Sequence, residues 1–173
     1  MKRCFTYILV ISVWLGSVGF APGAIQVYSK AVEFAKAGQG HFAFMHYNKL
    51  LRNYPTSKYR EQALFATGEY YFRVSSFQAA ATTFQTFLAE YPDSKERIYA
   101  LAYLLSIAQR DKNTLSVEGL EKQIIDLQQV SFVFRETKEI AYRSPLYQNY
   151  KAVIHIDKIE FYVEGKLFAQ VSY

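Results

Sequence analysis

Two apolar rhythms divide this chain. Between residues 61 and 92 the apolar residues Ala63, Leu64, Ala66, Tyr70, Tyr71 and Val74 follow helical spacing. After the polar pair Ser75-Ser76 they resume at Phe77, Ala80, Ala81, Phe84, Phe87, Leu88 and Tyr91. Residues three or four apart share a helix face, so the spacing predicts two helices, at about 59–74 and 77–90, folded as a hairpin. Pro92 closes the second, because the residue before a proline disfavours helix. The same pattern stands 37 residues earlier: Val27, Ala31, Phe34, Ala43, Tyr47 and Pro55 occupy the places of Leu64, Gly68, Tyr71, Ala80, Phe84 and Pro92. Its turn is AGQGH at 37–41, where Gly38 and Gly40 suit a reversal, although Gly40 stands where the second copy has Phe77. The linkers repeat as well, NYPTSKY at 53–59 and EYPDSKE at 90–96. A third helix of the first kind follows at about 96–110 through Leu101, Leu105 and Ala108, with Asp93 or Ser94 as its cap. After the polar break DKNT at 111–114, Leu120, Ile124 and Leu127 predict a partner helix within 115–129. A fixed period in the range of about 20–50 residues marks a stacked-repeat architecture.

Beyond residue 130 the rhythm changes. Residues 131–134, 152–156 and 159–163 are rich in β-branched and aromatic side chains and predict strands. Glu164-Gly165 reads as a two-residue hairpin turn, and 167–171 alternates apolar and polar residues as the return strand. A small antiparallel sheet packed on the helices is expected. The chain ends within a strand, whose free edge either recruits a partner strand or is covered internally. The expected organisation is an N-terminal segment at 1–23, helical hairpins at 24–112, a linking helix at 113–129 and a β-rich region at 130–173.

The N-terminal segment has the order of a secretory signal: Lys2 and Arg3, an apolar run from Phe5 to Phe20, then the small residues Ala21-Pro22-Gly23-Ala24. The run is shorter than the roughly 20 residues a spanning helix prefers, which favours cleavage over an anchor. Cys4 is the only cysteine and precedes the apolar run, whereas an acylated lipoprotein cysteine follows one, so lipidation there is not expected. Without Cys4 the mature chain carries neither disulfide nor thiol chemistry. The formal net charge is +5, and loss of Lys2 and Arg3 leaves +3 with no basic stripe, which argues against nucleic acid.

The stretch ALFATGEYYFRVSSFQAAATTFQTFLAEYP closely resembles a tetratricopeptide repeat, with Leu64, Gly68, Tyr71, Ala80, Phe84 and Pro92 on the signature positions of that family. Thr67 and Phe87 depart from its usual leucine and alanine. Small residues at Gly68 and Ala80 let two helices approach closely, and Tyr71 and Phe84 fill the space beside them. The longer period and the YP-x-S linker are similar to cell-envelope members of the family, such as BamD-type outer-membrane assembly subunits and the periplasmic accessory protein of the Tol–Pal system. The resemblance spans about residues 25–110 and implies a mainly α fold, an α-solenoid of antiparallel hairpins. It further implies that the first helix of each hairpin lines a concave groove, through residues including Tyr28, Lys36, Phe65, Glu69, Phe72, Arg73, Tyr99 and Arg110. An aromatic floor with Lys36, Arg73 and Arg110 as a basic ladder would suit an extended peptide or a helix with acidic groups. A competing account is that each cation simply sits where the helix dipole favours it.

Catalysis is not expected. His41 and His46 are five residues apart, on different helix faces, and His155 falls in a strand. HExxH, a cysteine pair, a phosphate-cradling glycine loop and GxSxG are all missing from the sequence, so neither a metal nor a cofactor is implied. The sequence therefore points to an exported envelope scaffold that binds another protein through its concave face. The alternative is a surface module whose β region binds a glycan or surface partner, with the repeats as support.

Overall fold

A computed structural model describes residues 22–128 and 137–173. The signal-like segment with Cys4, and the strand expected at 131–134, lie outside the described residues. Among the described residues six helices come first: α1 (Pro22–Lys36), α2 (Gly40–Asn53), α3 (Arg60–Arg73), α4 (Phe77–Glu90), α5 (Arg97–Arg110) and α6 (Thr114–Gln128). Each packs on its chain neighbours, so the helices form three stacked hairpins, α1–α2, α3–α4 and α5–α6.

The period is written into the backbone. At the end of α1 the amide of Gln39 bonds the carbonyl of Phe34, and that of Gly38 bonds Ala35. The same pair of bonds recurs as Ser76 to Tyr71 with Ser75 to Phe72, and as Asn113 to Ala108 with Lys112 to Gln109. This is a Schellman closure, which needs a left-handed residue just past the helix. That residue is Gly38 (φ 72°), Ser75 (φ 60°) and Lys112 (φ 54°), each 37 residues after the last. The α5–α6 pair is thus a third repeat with the same turn as the other two. The linkers repeat in the same way: Ser57 to Tyr54 and Arg60 to Ser57 become Ser94 to Tyr91 and Arg97 to Ser94. Ser94 accepts the amide of Glu96 (3.1 Å) just ahead of α5, and neither it nor Asp93 caps that helix by a side-chain bond to its first turn.

Glycine at 68 follows from contact. A Cβ there would lie 2.9 Å from the Phe84 ring of α4, closer than carbon atoms approach. At Gly40 the nearest atoms to an added Cβ belong to the Arg73 guanidinium, the far end of a flexible side chain.

The chain then forms β1 (Lys138–Arg143), β2 (Asn149–Ile154), β3 (Lys158–Val163) and β4 (Lys166–Ser172), an antiparallel sheet in the order β1-β2-β3-β4. β1, with the sequence KEIAYR, is a strand the sequence analysis does not anticipate. The hairpin at Glu164-Gly165 has positive φ at both residues (48° and 73°), as a type I′ turn requires. Strand alternation turns Tyr150, Ala152 and Ile154 of β2, and Ile159 and Phe161 of β3, into the core shared with α3, α4 and α5. A bulge leaves Phe168 of β4 without an opposite residue on β3, and its ring packs 5.0 Å from Tyr103 of α5. The other face of the sheet is polar. There Glu160 accepts from Lys158 (2.7 Å) and Tyr162 (3.0 Å) and pairs with His155 (3.0 Å), and the Lys158 bond above all holds its carboxyl down to about 2.

Candidate functional site

The face formed by α1, α3 and α5 carries the residues that the sequence analysis assigns to a groove. The structure separates them into two groups. Phe65 and Glu69 of α3 and Tyr99 of α5 are about 1% exposed. They are covered by the sheet. The Phe65 ring meets Tyr142 and Tyr150 at 5.8 and 6.2 Å, and the Tyr99 ring stacks on Tyr142 at 5.5 Å. The Tyr99 hydroxyl donates to the Ile140 carbonyl (2.8 Å), and burial pushes that phenol up to about 12. Phe72 is half-buried between Tyr103 (4.7 Å) and Phe77 (5.4 Å). Phe65, Glu69 and Tyr99 thus contact the chain's own sheet, whereas Phe72 lies between helix side chains.

The second group lies nearer solvent. Tyr28 is half-buried, stacked on Tyr59 at 4.1 Å. Lys36, Arg73 and Arg110 are exposed in the last turns of α1, α3 and α5. Each lies over a different ring: Lys36 over Tyr147 (5.6 Å), Arg73 over Tyr70 (5.4 Å) and Arg110 over Phe77 (4.3 Å). Their common position agrees with a cation at a helix C-terminus, and their ring partners fix them individually.

At the centre is Glu69, a carboxyl fully buried between α3 and the sheet. The hydroxyls of Ser144 and Tyr150 both donate to its Oε1, each at 2.8 Å. Tyr103 and Tyr150 also share a hydrogen bond. Because Tyr150 gives its proton to Glu69, Tyr103 is the donor to Tyr150. The chain Tyr103 to Tyr150 to Glu69 therefore crosses from α5 to β2 to α3. Burial pushes the Glu69 carboxyl up to about 7, against the opposing pull of the Ser144 and Tyr150 hydroxyls, the Arg73 charge and the Leu146 backbone. Its Oε2 is buried and makes no hydrogen bond of normal geometry.

The turn between β1 and β2 completes the site. Ser144 to Gln148 closes on itself through Tyr147 N–H to Ser144 O (2.8 Å) and Gln148 N–H to Ser144 Oγ (3.1 Å). It reaches into the concave side of the first two repeats. Tyr47 of α2 donates to the Pro145 carbonyl (3.0 Å). Leu146 is 5% exposed, in an apolar cluster with Val27, Ala31, Ala35, Tyr47, Ala63 and Ala66. Tyr147 lies under Lys36 and holds a left-handed backbone (φ 63°), costly for a bulky residue. The repeat pattern puts Lys36, Phe65, Glu69 and Tyr99 on this face but carries no sign of Ser144, Leu146 or Tyr150. The one available signal was Ser-Pro followed by Leu-Tyr, a turn dipeptide beside two apolar residues.

Among the described residues no group of histidine, cysteine or acidic side chains is arranged to hold a metal, and no helix is long and apolar enough to cross a membrane. The fold defines the class: a tetratricopeptide-type α-solenoid closed on its concave side by a four-stranded sheet. A family model, YfiO, described as an outer membrane lipoprotein, matches residues 22–154, and the chain belongs to that family of cell-envelope proteins. The matched span covers all three repeats, β1, the 144–148 turn and β2. No curated protein matches the chain significantly.

Proposed function

We propose that this chain is a non-catalytic scaffold of the cell envelope that binds a protein or peptide partner through the concave side of its first two repeats. The single observation that supports this is the seating of the 144–148 turn there. Side chains from α1, α2 and α3 surround a polypeptide segment with an apolar pocket, a backbone-directed phenol and a cation over an aromatic ring. Such a surface matches the way helical repeats take peptide ligands. Phe65 and Tyr99 serve in this reading as the seat of the sheet, while Tyr28, Lys36, Phe72 and Arg73 are the reachable positions.

The test is site-specific photo-crosslinking in the native host, with a photoreactive residue at Lys36 or Phe72 and, in parallel, at Tyr162 on the outer face of the sheet. A discrete envelope protein captured at Lys36 or Phe72, and lost with Arg73→Glu, supports the reading. Capture confined to Tyr162 transfers the function to the sheet. Export is read here as cleavage near residue 23 with Cys4 left unacylated. The family's description as a lipoprotein makes that worth measuring. Radiolabelled palmitate is expected to give equal incorporation in the natural chain and Cys4→Ser, and label lost with Cys4→Ser would reverse the reading.

A further inference from the structure

We propose that the Ser144–Gln148 turn is a tethered occupant of the partner site, and that the partner presents a peptide turn of the same chemistry and binds by displacing it. The inference rests on the concave-face reading above and names the ligand class and the control of that site. The class follows from what each position meets. A hydroxyl residue donates to Glu69 Oε1, as Ser144 does at 2.8 Å. The next residue offers its carbonyl to the Tyr47 hydroxyl, as Pro145 does at 3.0 Å. A leucine-sized side chain fills the cluster of Val27, Ala31 and Ala63 around Leu146. An aromatic ring then lies under the Lys36 ammonium, as Tyr147 does.

Two features make the resident turn an imperfect ligand. Tyr147 holds a left-handed backbone (φ 63°) that bulky residues rarely adopt, and such strain persists only where surroundings enforce it. Glu69 Oε2 is buried and makes no hydrogen bond of normal geometry, and besides the Ser144 hydroxyl only the Leu146 backbone of the turn acts on the carboxyl, so a ligand with a better-placed donor gains an interaction that the resident turn makes poorly. The tether compensates for both. A segment held by a short linker competes at an effective concentration of about millimolar or above. A free peptide of the same sequence is therefore excluded from the natural chain and admitted once the turn is loosened.

The experiment uses the full chain and a fluorescein-labelled cyclic peptide carrying residues 143–149, read by fluorescence polarisation. Three chains are compared: the natural one, Leu146→Ala, and the combined Ser144→Gly, Leu146→Gly, Tyr147→Gly variant. The peptide is expected to bind the combined variant at least about tenfold more tightly than the natural chain, with Leu146→Ala between them. A peptide with aspartate in place of leucine is expected not to bind. Adding Lys36→Ala to the loosened chain is expected to weaken binding. Equal, absent or leucine-independent binding in a loosened chain with native circular dichroism overturns the inference. If the combined variant fails to fold, Leu146→Ala decides by the same criteria. Photo-crosslinking at Lys36 separates this inference from its premise. A partner captured equally by natural and loosened chains, with no peptide binding, sinks the tethered-ligand idea and leaves the concave site standing. Capture by neither chain, with no peptide binding, removes both.

Discussion

At the residue scale, Glu69 stands out as the buried carboxyl group among the described residues. A buried carboxyl is costly to ionise, and two hydroxyl donors with the Arg73 charge offset only part of that cost, leaving its pKa at about 7 against the usual 4.5. The sign of the pH effect follows. Between about pH 4.5 and 7 the folded chain keeps a proton that the unfolded chain releases, so this group's contribution to stability falls as pH rises through that window and is level above it. At about 1.4 kcal/mol per pKa unit, the whole effect is about 3 kcal/mol. Glu69→Gln keeps an acceptor for Ser144 and Tyr150 without the charge. It is expected to flatten the dependence and to melt above the natural chain at pH 8. Thermal melts of both chains from pH 5 to 8 check this, and parallel curves would refute it. Tyr47→Phe removes only the donor to Pro145. Its expected cost is about 1 kcal/mol in a denaturant melt, with faster hydrogen exchange concentrated at residues 144–148.

At the scale of elements, the three hairpins share one turn geometry but not one turn residue. Gly38 adopts its left-handed backbone freely, whereas Ser75 and Lys112 carry a Cβ into a region that costs L-residues about 1–2 kcal/mol. Ser75→Gly and Lys112→Gly are each expected to raise stability by up to about 1 kcal/mol, because the relief of strain exceeds the added entropy of the unfolded chain. The check is denaturant unfolding, and a loss of stability at both sites would contradict the strained reading. Gly68 behaves in the opposite way. A methyl group there would meet the Phe84 ring at 2.9 Å, so Gly68→Ala is expected to destabilise by about 1–3 kcal/mol, despite the better helix propensity of alanine. Adding Phe84→Leu is expected to return part of that loss, as a double-mutant cycle would show.

At the scale of the whole molecule, helices and sheet share one hydrophobic core. Phe65, Tyr99 and Tyr103 are buried by Tyr142, Tyr150 and Phe168, and Glu69 is bonded by groups beyond residue 143. A chain ending at residue 128 would present these rings and an unpaired carboxyl to solvent. It is expected to bind a hydrophobic dye and to lose a cooperative melt, although its helices are complete. A sharp melt near that of the full chain would show that the repeats stand alone.

What the sequence determined by itself was the repeat. Helical spacing, the offset of 37 and the YP-x-S linker are local, and each repeat writes them again, so hairpin boundaries and the close approach at Gly68 follow from residues near one another in the chain. The linking helix expected at 113–129 was legible as a helix and as a partner for the third repeat, and the turn at Lys112 gives that pair the same geometry as the other two. The second strand and the hairpin at 164–165 were legible from β-branched residues and a turn signal. β1 was not, since KEIAYR is charged and half exposed as an edge strand. What only the tertiary structure decided is the occupant of the concave side. The contacts of Ser144 with Glu69, of Pro145 with Tyr47 and of Tyr99 with Ile140 join residues 41 to 98 apart. No periodicity reports on pairs so distant. Burial of a face depends on what covers it, and the covering surface lies in another part of the chain.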